Sequence, residues 1–200
     1  MRIVVVDLGV ANLSNVARVV DGVVSSDPSS IDSADMVILP GVGSFSAVSA
    51  NLDRFRDRLE KFIESGRPLL GICLGMQLLF ELSEEGEGKG LGVFKGCVRR
   101  LPCVRVPHIG WSRVYQTGQC PLFYDISDAS HFYFVHSFYV DPEDRGIVYG
   151  VSECQVSDSA KSYRFPVVVW KDNVFGVQFH PEKSGRVGLK MLENFLNLKR

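Results

Sequence analysis

Cys73 is the residue whose surroundings most clearly suggest chemistry. It sits in Gly71-Ile72-Cys73-Leu74-Gly75, between an apolar run and a helical pattern, the setting of a nucleophile elbow. A sharp strand-to-helix turn lifts the side chain out of the sheet edge. Flanking glycines leave room for neighbouring backbone in that turn. A thiol at a helix start also feels the positive end of the dipole, which favours the nucleophilic thiolate. The backbone N–H of Leu74 would then point at an oxyanion formed on the substrate. Taken alone, the pattern fits a small buried hydrophobe equally well, the commonest state of a free cysteine.

A nucleophilic cysteine needs a general base, and imidazole is the usual one near neutral pH. The chain offers His108, His131, His136 and His180. His180 follows the apolar run Val174–Phe179, with Pro181 and Glu182 after it. Positions i and i+2 of an extended segment share a side. Glu182 can therefore fix the His180 tautomer and stabilise its charged form. In isolation the pair reads as a surface hydrogen bond; beside Cys73 it completes a nucleophile, base and orienter. Pro40-Gly41-Val42-Gly43 is a third element, whose backbone N–H groups can cradle an anion. It lacks the Gly-Lys-Ser/Thr ending of a phosphate loop. Its place at a strand end suits the second half of an oxyanion hole. His180 and Glu182 lack a convincing ligand set, so neither a metal nor an organic cofactor is expected.

The elements that must position these groups follow from hydrophobic spacing. Arg2–Val6, Met36–Leu39 and Leu69–Ile72 read as short buried strands, and Asn12–Asp21 and Leu74–Leu82 as helices. Leu52, Phe55, Leu59, Phe62 and Ile63 recur at three- and four-residue steps, predicting one helix over Ala47–Ser65. Gly66 and Pro68 end it. Further strands are expected at Ser112–Tyr115, Phe132–Val135, Ile147–Val151, Val167–Trp170 and Val174–Phe179. Lys171-Asp172-Asn173 turns between the last two. Ser184–Leu198 closes the chain as a helix with Leu189, Leu192, Phe195 and Leu196 inward, and Ser83–Gly90 is a surface loop. Strands alternating with helices predict an α/β fold of three layers, a mostly parallel central sheet flanked by helices. Residues 1–200 are expected to form a single domain, with no repeat or linker.

A net charge of −1 gives no basic footprint for nucleic acid. No apolar run approaches the roughly 20 residues of a membrane helix, and the N-terminus lacks a signal-peptide pattern. Cysteines 73, 97, 103, 120 and 154 form an odd set without a C-x-x-C pair. Neither a disulfide framework nor a zinc site is expected. A reduced, cytoplasmic protein is the simplest reading, with Cys97, Cys103, Cys120 and Cys154 as small packing residues.

Gly-Ile-Cys-Leu-Gly-Met-Gln-Leu-Leu-Phe (71–80), Pro-Gly-Val-Gly-Ser-Phe (40–45) and Gln-Phe-His-Pro-Glu-Lys-Ser (178–184) resemble the triad-type, class I glutamine amidotransferases. Pro-His-Ile-Gly-Trp (107–111) and Tyr-Phe-Val-His-Ser-Phe-Tyr (133–139) are similar to the glutaminase subunits of imidazole glycerol phosphate synthases, in histidine biosynthesis. The resemblance runs along essentially the whole chain. It implies a flavodoxin-like relative of that family's fold, and attack of Cys73 on the glutamine amide with His180 and Glu182 as base and orienter. It also implies Gly41, Gly43, Gln77, Ser137 and Phe138, with Glu85, as substrate-binding residues, and Val42 with Leu74 as the oxyanion hole. The ammonia would pass to a (β/α)8-barrel cyclase in a heterodimer, with Asn12, Trp111, Tyr133 and Lys183 at or near the interface. Asp7–Asn12 lacks an aromatic residue and a glycine expected there.

Other readings stay open at this stage. The chain could serve an anthranilate or pyridoxal-phosphate synthase, although Met76 and Pro-His-Ile-Gly-Trp argue against both. It could be a stand-alone cysteine hydrolase. A flavodoxin-like phosphate-binding module would leave the Cys-His-Glu set unexplained.

Overall fold

The computed structural model describes residues 1–9, 13–156 and 161–198. Short all-buried strands, β1 (Ile3–Val6), β3 (Met36–Leu39) and β4 (Leu69–Ile72), lie side by side in one half of a large sheet. Apolar on both faces, they must be covered on both sides, as parallel strands are. With β2 (Val23–Ser25) and β12 (Val174–Val177) they make a parallel block ordered β2-β1-β3-β4-β12. The sheet then continues antiparallel through β11 (Ser162–Lys171), β10 (Val148–Gln155), β7 (His108–Gln116) and β8 (Ser130–His136). A second sheet of β5 (Leu82–Ser83), β6 (Gly96–Arg100) and β9 (Phe138–Pro142) packs alongside. One face of the large sheet is covered by α1 (Leu13–Val20) and α5 (Gly185–Leu196). The other is covered by α2 (Phe45–Asp53) and α3 (Arg56–Glu64). The expected layered α/β architecture is thus present, in a sheet whose two halves run differently.

Several expectations change at the boundaries. The helix expected over Ala47–Ser65 is two helices. The Arg54 N–H bonds the Asn51 C=O and the Phe55 N–H the Leu52 C=O, a tightened turn that keeps Leu52, Phe55, Leu59 and Phe62 buried. The helix after Cys73, α4 (Leu74–Gln77), is a single turn rather than Leu74–Leu82. The N–H groups of Gly90, Leu91, Gly92 and Phe94 take the carbonyls of Glu81, Leu78, Phe80 and Leu79, which a longer helix would need for itself. Leu189, expected inward, is 47% exposed, while Met191 packs inside. The Lys171–Asn173 hairpin is present, with Lys171 opposite Val174 and Asp172 at φ 53.

The cysteines require a correction. Cys103 and Cys154 form a disulfide, with Cα atoms 5.8 Å apart across 51 positions. β10 carries Cys154 beside the segment between β6 and β7, where the Val104 N–H also bonds the Gln155 C=O. Cys73, Cys97 and Cys120 remain free. A closed loop of that length is expected to contribute about 2–4 kcal/mol. Cys103→Ser with Cys154→Ser should therefore lower the thermal midpoint by roughly 5–12 °C in non-reducing buffer. An unchanged midpoint would show that the link contributes nothing. No helix among the described residues is long and apolar enough to cross a membrane.

Candidate active site

Three neighbouring strands of the parallel block set the site. β4 ends at Ile72, β3 at Leu39 and β12 at Val177, and each is followed by one of the three motifs. Cys73 takes φ 54 and ψ −109, a conformation that costs a non-glycine residue energy and that the packing around it must hold. Its N–H bonds the Val177 C=O at 2.7 Å, tying the elbow to the strand that leads to His180. A Cβ on Gly71 would lie 2.6 Å from the Gly75 carbonyl oxygen, so the turn closes only without a side chain there.

Cys73 is 5% exposed and His180 1%. His180 Nδ1 is 2.8 Å from Glu182 Oε1, both side chains buried, which leaves Nε2 for the Cys73 side. Burial disfavours the charged ring. Contact with Cys73 and Glu182 outweighs that and raises His180 to about 9. Near neutral pH the ring therefore keeps its proton and can pair with a thiolate. α4 is only one turn long, so the helix dipole at Cys73 is shorter than the sequence pattern suggests. The sign follows: a raised folded-state value stabilises the protein fully below about 6.5 and loses that contribution as pH rises through about 9. If His180 supplies a proton to a leaving group, turnover should decline over the same alkaline limb. In Glu182→Gln that limb should move toward neutrality, as read from the pH dependence of kcat/KM, and a limb that stays near 9 would remove Glu182 from the set.

The Leu74 N–H donates to the Gly41 C=O at 3.4 Å, so a carbonyl faces the donor expected to hold an oxyanion. Gly41 packs against Leu74, and Gly43 holds φ 142. Glu85 accepts the Phe45 N–H at 2.6 Å, capping α2 directly behind that loop. Gln77 is buried and donates to the Phe138 C=O and to Gln178 Oε1, both at 3.1 Å. The Ser137 C=O accepts the Leu101 N–H. Ser137 is the point at which the chain leaves the large sheet at β8 and enters the small one at β9.

Two residues were not singled out from sequence. Gln178 is fully buried, with Nε2 3.6 Å from Cys73 Sγ. A lone amide at the end of the apolar run Val174–Phe179 was the available signal. His136 bonds the Phe138 C=O through Nδ1 at 2.7 Å. Burial drives it down to about 3, so it stays neutral. On the outer side of β7 and β8, Trp111 is 56% exposed and meets the Tyr133 ring edge-on at 6.0 Å. Packing of Trp111 into the core is thereby excluded. The Tyr133 C=O accepts the His180 N–H at 2.9 Å. Lys183 is exposed. Asn12 lies outside the described residues. Among those residues no group of three or more His, Cys, Asp or Glu is placed to hold a metal.

The family model for "Glutamine amidotransferase class-I" matches residues 10–198. The chain belongs to that family. Curated relatives of this class I amidotransferase include the protein named imidazole glycerol phosphate synthase subunit HisH in Thermococcus kodakarensis, 54% identical over 98% of this chain and 100% of that one. Proteins of the same name in Pyrococcus furiosus and Methanocaldococcus jannaschii are 48% and 42% identical, over 98% and 97% of this chain and 99% and 98% of theirs. Among solved structures, PurLQS from Thermotoga maritima superposes with a TM-score of 0.72 at 20% identity, over 98% of this chain and 97% of the other. A crystal structure described as a glutamine amidotransferase gives 0.71 at 18%, over 98% and 99%. At those identities the two structures speak for the fold of this amidotransferase alone.

Proposed function

We propose that the chain is the glutaminase subunit of an imidazole glycerol phosphate synthase, acting as one domain in the cytoplasm. It hydrolyses glutamine to glutamate and ammonia, which a (β/α)8-barrel cyclase partner consumes in histidine biosynthesis. The observation that carries this is the buried His180–Glu182 pair set against Cys73 on a strained elbow, in a chain about half identical to relatives bearing that name.

The steps follow from the groups present. The Cys73 thiolate attacks the side-chain amide carbon of glutamine and forms a C–S bond, giving a tetrahedral oxyanion. Imidazolium His180 protonates the nitrogen; the C–N bond breaks, and ammonia leaves a glutamyl thioester. Neutral His180 then takes a proton from water, whose oxygen attacks the thioester, and the C–S bond breaks to release glutamate. Glu182 holds the ring's tautomer and its charge throughout. Leu74 N–H and Val42 N–H stabilise the oxyanion once the Gly41–Val42 peptide turns its carbonyl away from Leu74. Ser137, Phe138, Gly41, Gly43, Gln77 and Glu85 form the surround of the amino-acid head, Gln77 and Glu85 through the backbone they hold.

The closed state of the site supports dependence on a partner. Trp111, Tyr133 and Lys183, with Asn12, are the proposed contact residues, and the Tyr133 carbonyl lies one hydrogen bond from His180. The test is glutamine hydrolysis by the chain alone and with the cyclase and its ribonucleotide ligand. A slow rate that rises on addition is expected, as is co-purification of the two chains. Fast hydrolysis of peptides or esters without the partner would overturn the assignment.

A further inference from the structure

Behind Cys73 two buried amides form a continuous hydrogen-bonded line. Gln77 Nε2 donates to the Phe138 C=O and to Gln178 Oε1, each at 3.1 Å, and Gln178 Nε2 reaches Cys73 Sγ at 3.6 Å. The direction of this line is fixed from one end. A main-chain carbonyl only accepts, so the nitrogen of Gln77 must face Phe138. Its second N–H then faces an acceptor, which must be the oxygen of Gln178. That leaves the nitrogen of Gln178, a donor, facing the sulfur. His136 Nδ1, 2.7 Å from the same Phe138 oxygen, holds the anchoring carbonyl in place. Flipping either amide would set like groups against each other in a site that admits no compensating solvent, since Gln77 and Gln178 are both buried.

We propose that Gln178, oriented by Gln77, is a positioning residue that donates to the Cys73 sulfur and favours its thiolate form, linking the nucleophile to the Ser137–Phe138 turn. A hydrogen bond to an anionic acceptor is stronger than one to a neutral one, so the donor selects the thiolate over the thiol. A shift of the Phe138 carbonyl, in the segment where the glutamine head is proposed to rest, would loosen Gln77 and then Gln178. The nucleophile is thus tuned by the segment proposed to read the substrate. This inference rests on Cys73 being the nucleophile.

Alkylation of the full-length chain by iodoacetamide tests it, with the modified cysteine identified by peptide mapping. In Gln178→Met, which keeps an unbranched side chain of similar volume, the alkylation rate of Cys73 at pH 7 is expected to fall about tenfold. At pH 11, where the thiol is ionised without help, it should match the parent. Gln77→Met should show a smaller loss of the same kind, and it carries the test if Gln178→Met does not fold. Reaction of these variants at parental rates at both pH values overturns the proposal, as does an equal loss at both, which would indicate altered access. Failure of Cys73 to react even in the parent with the cyclase and its ligand bound, while Cys97 or Cys120 is labelled, would overturn the nucleophile assignment itself.

Discussion

Cys73→Ala is expected to lower glutamine hydrolysis by at least about 10⁴-fold with the cyclase present, because no other group can form the thioester. The fold should survive. Alanine accepts the same backbone strain as cysteine at φ 54, and the lost sulfur leaves only a small gap in a packed site. A glutamine-mimicking electrophile should label Cys73 in the parent and nothing in the variant. His136, Gln178 and the Ser137–Phe138 turn stay intact, so glutamine should still bind. Full glutaminase activity in Cys73→Ala would refute the mechanism. Lost activity together with lost folding would call for Cys73→Ser, which keeps a hydroxyl in place of the thiol and should also be close to inactive.

Gly75→Ala should be nearly as damaging, for a steric reason. A Cβ at position 75 would fall on the Leu39 carbonyl group, with the Leu39 Cβ also 3.2 Å away. Leu39 ends β3 and leads straight into Pro40 and Gly41, so it cannot move aside without displacing the loop opposite Cys73. The variant is expected to lose about 3 kcal/mol of stability or more and most of its hydrolysis. Gly66→Ala is the matched control. Gly66 has φ +77 with nothing within 4 Å of an added Cβ, so only backbone strain of about 1–2 kcal/mol is at stake. Urea midpoints and hydrolysis rates of the two variants separate the cases. Equal behaviour would mean that close approach of β3 to the elbow is not what the glycine serves.

Much of the site was legible because its chemistry is local. Gly71 to Gly75 and His180 to Glu182 each hold their logic within five residues, and buried strands such as Met36–Leu39 and Leu69–Ile72 declare themselves by apolar runs bounded by Pro or Gly. The remainder depends on partners distant in sequence. The single turn after Cys73 could not be read from Leu74–Leu82, since its carbonyls are claimed by residues 90–94. Glu85 gave no sign that it caps the helix beginning 40 positions earlier at Phe45. The split between α2 and α3 was hidden because one tight turn preserves the apolar spacing. β9 has no counterpart among the expected strands, since the apolar run ends at Val135 and the chain resumes in the other sheet only after a bend at Ser137. Gln77 and Gln178 lie 101 positions apart.

The Cys103–Cys154 link partitions the amidotransferase in a way its layers do not. Between the two cysteines lie β7, β8 and β9, and with them Trp111, Tyr133, Ser137 and Phe138. Cys73, His180 and Glu182 all lie outside. Part of the proposed receiving surface, Trp111 and Tyr133 for the partner and Ser137 and Phe138 for the substrate, therefore sits inside one covalent ring, while the reacting groups, with Gly41, Gly43, Gln77, Glu85 and Lys183, sit on its two tails. A protease cut anywhere within that ring leaves a single covalently joined molecule until the disulfide is reduced, so receiving surface and reacting groups remain together after such damage.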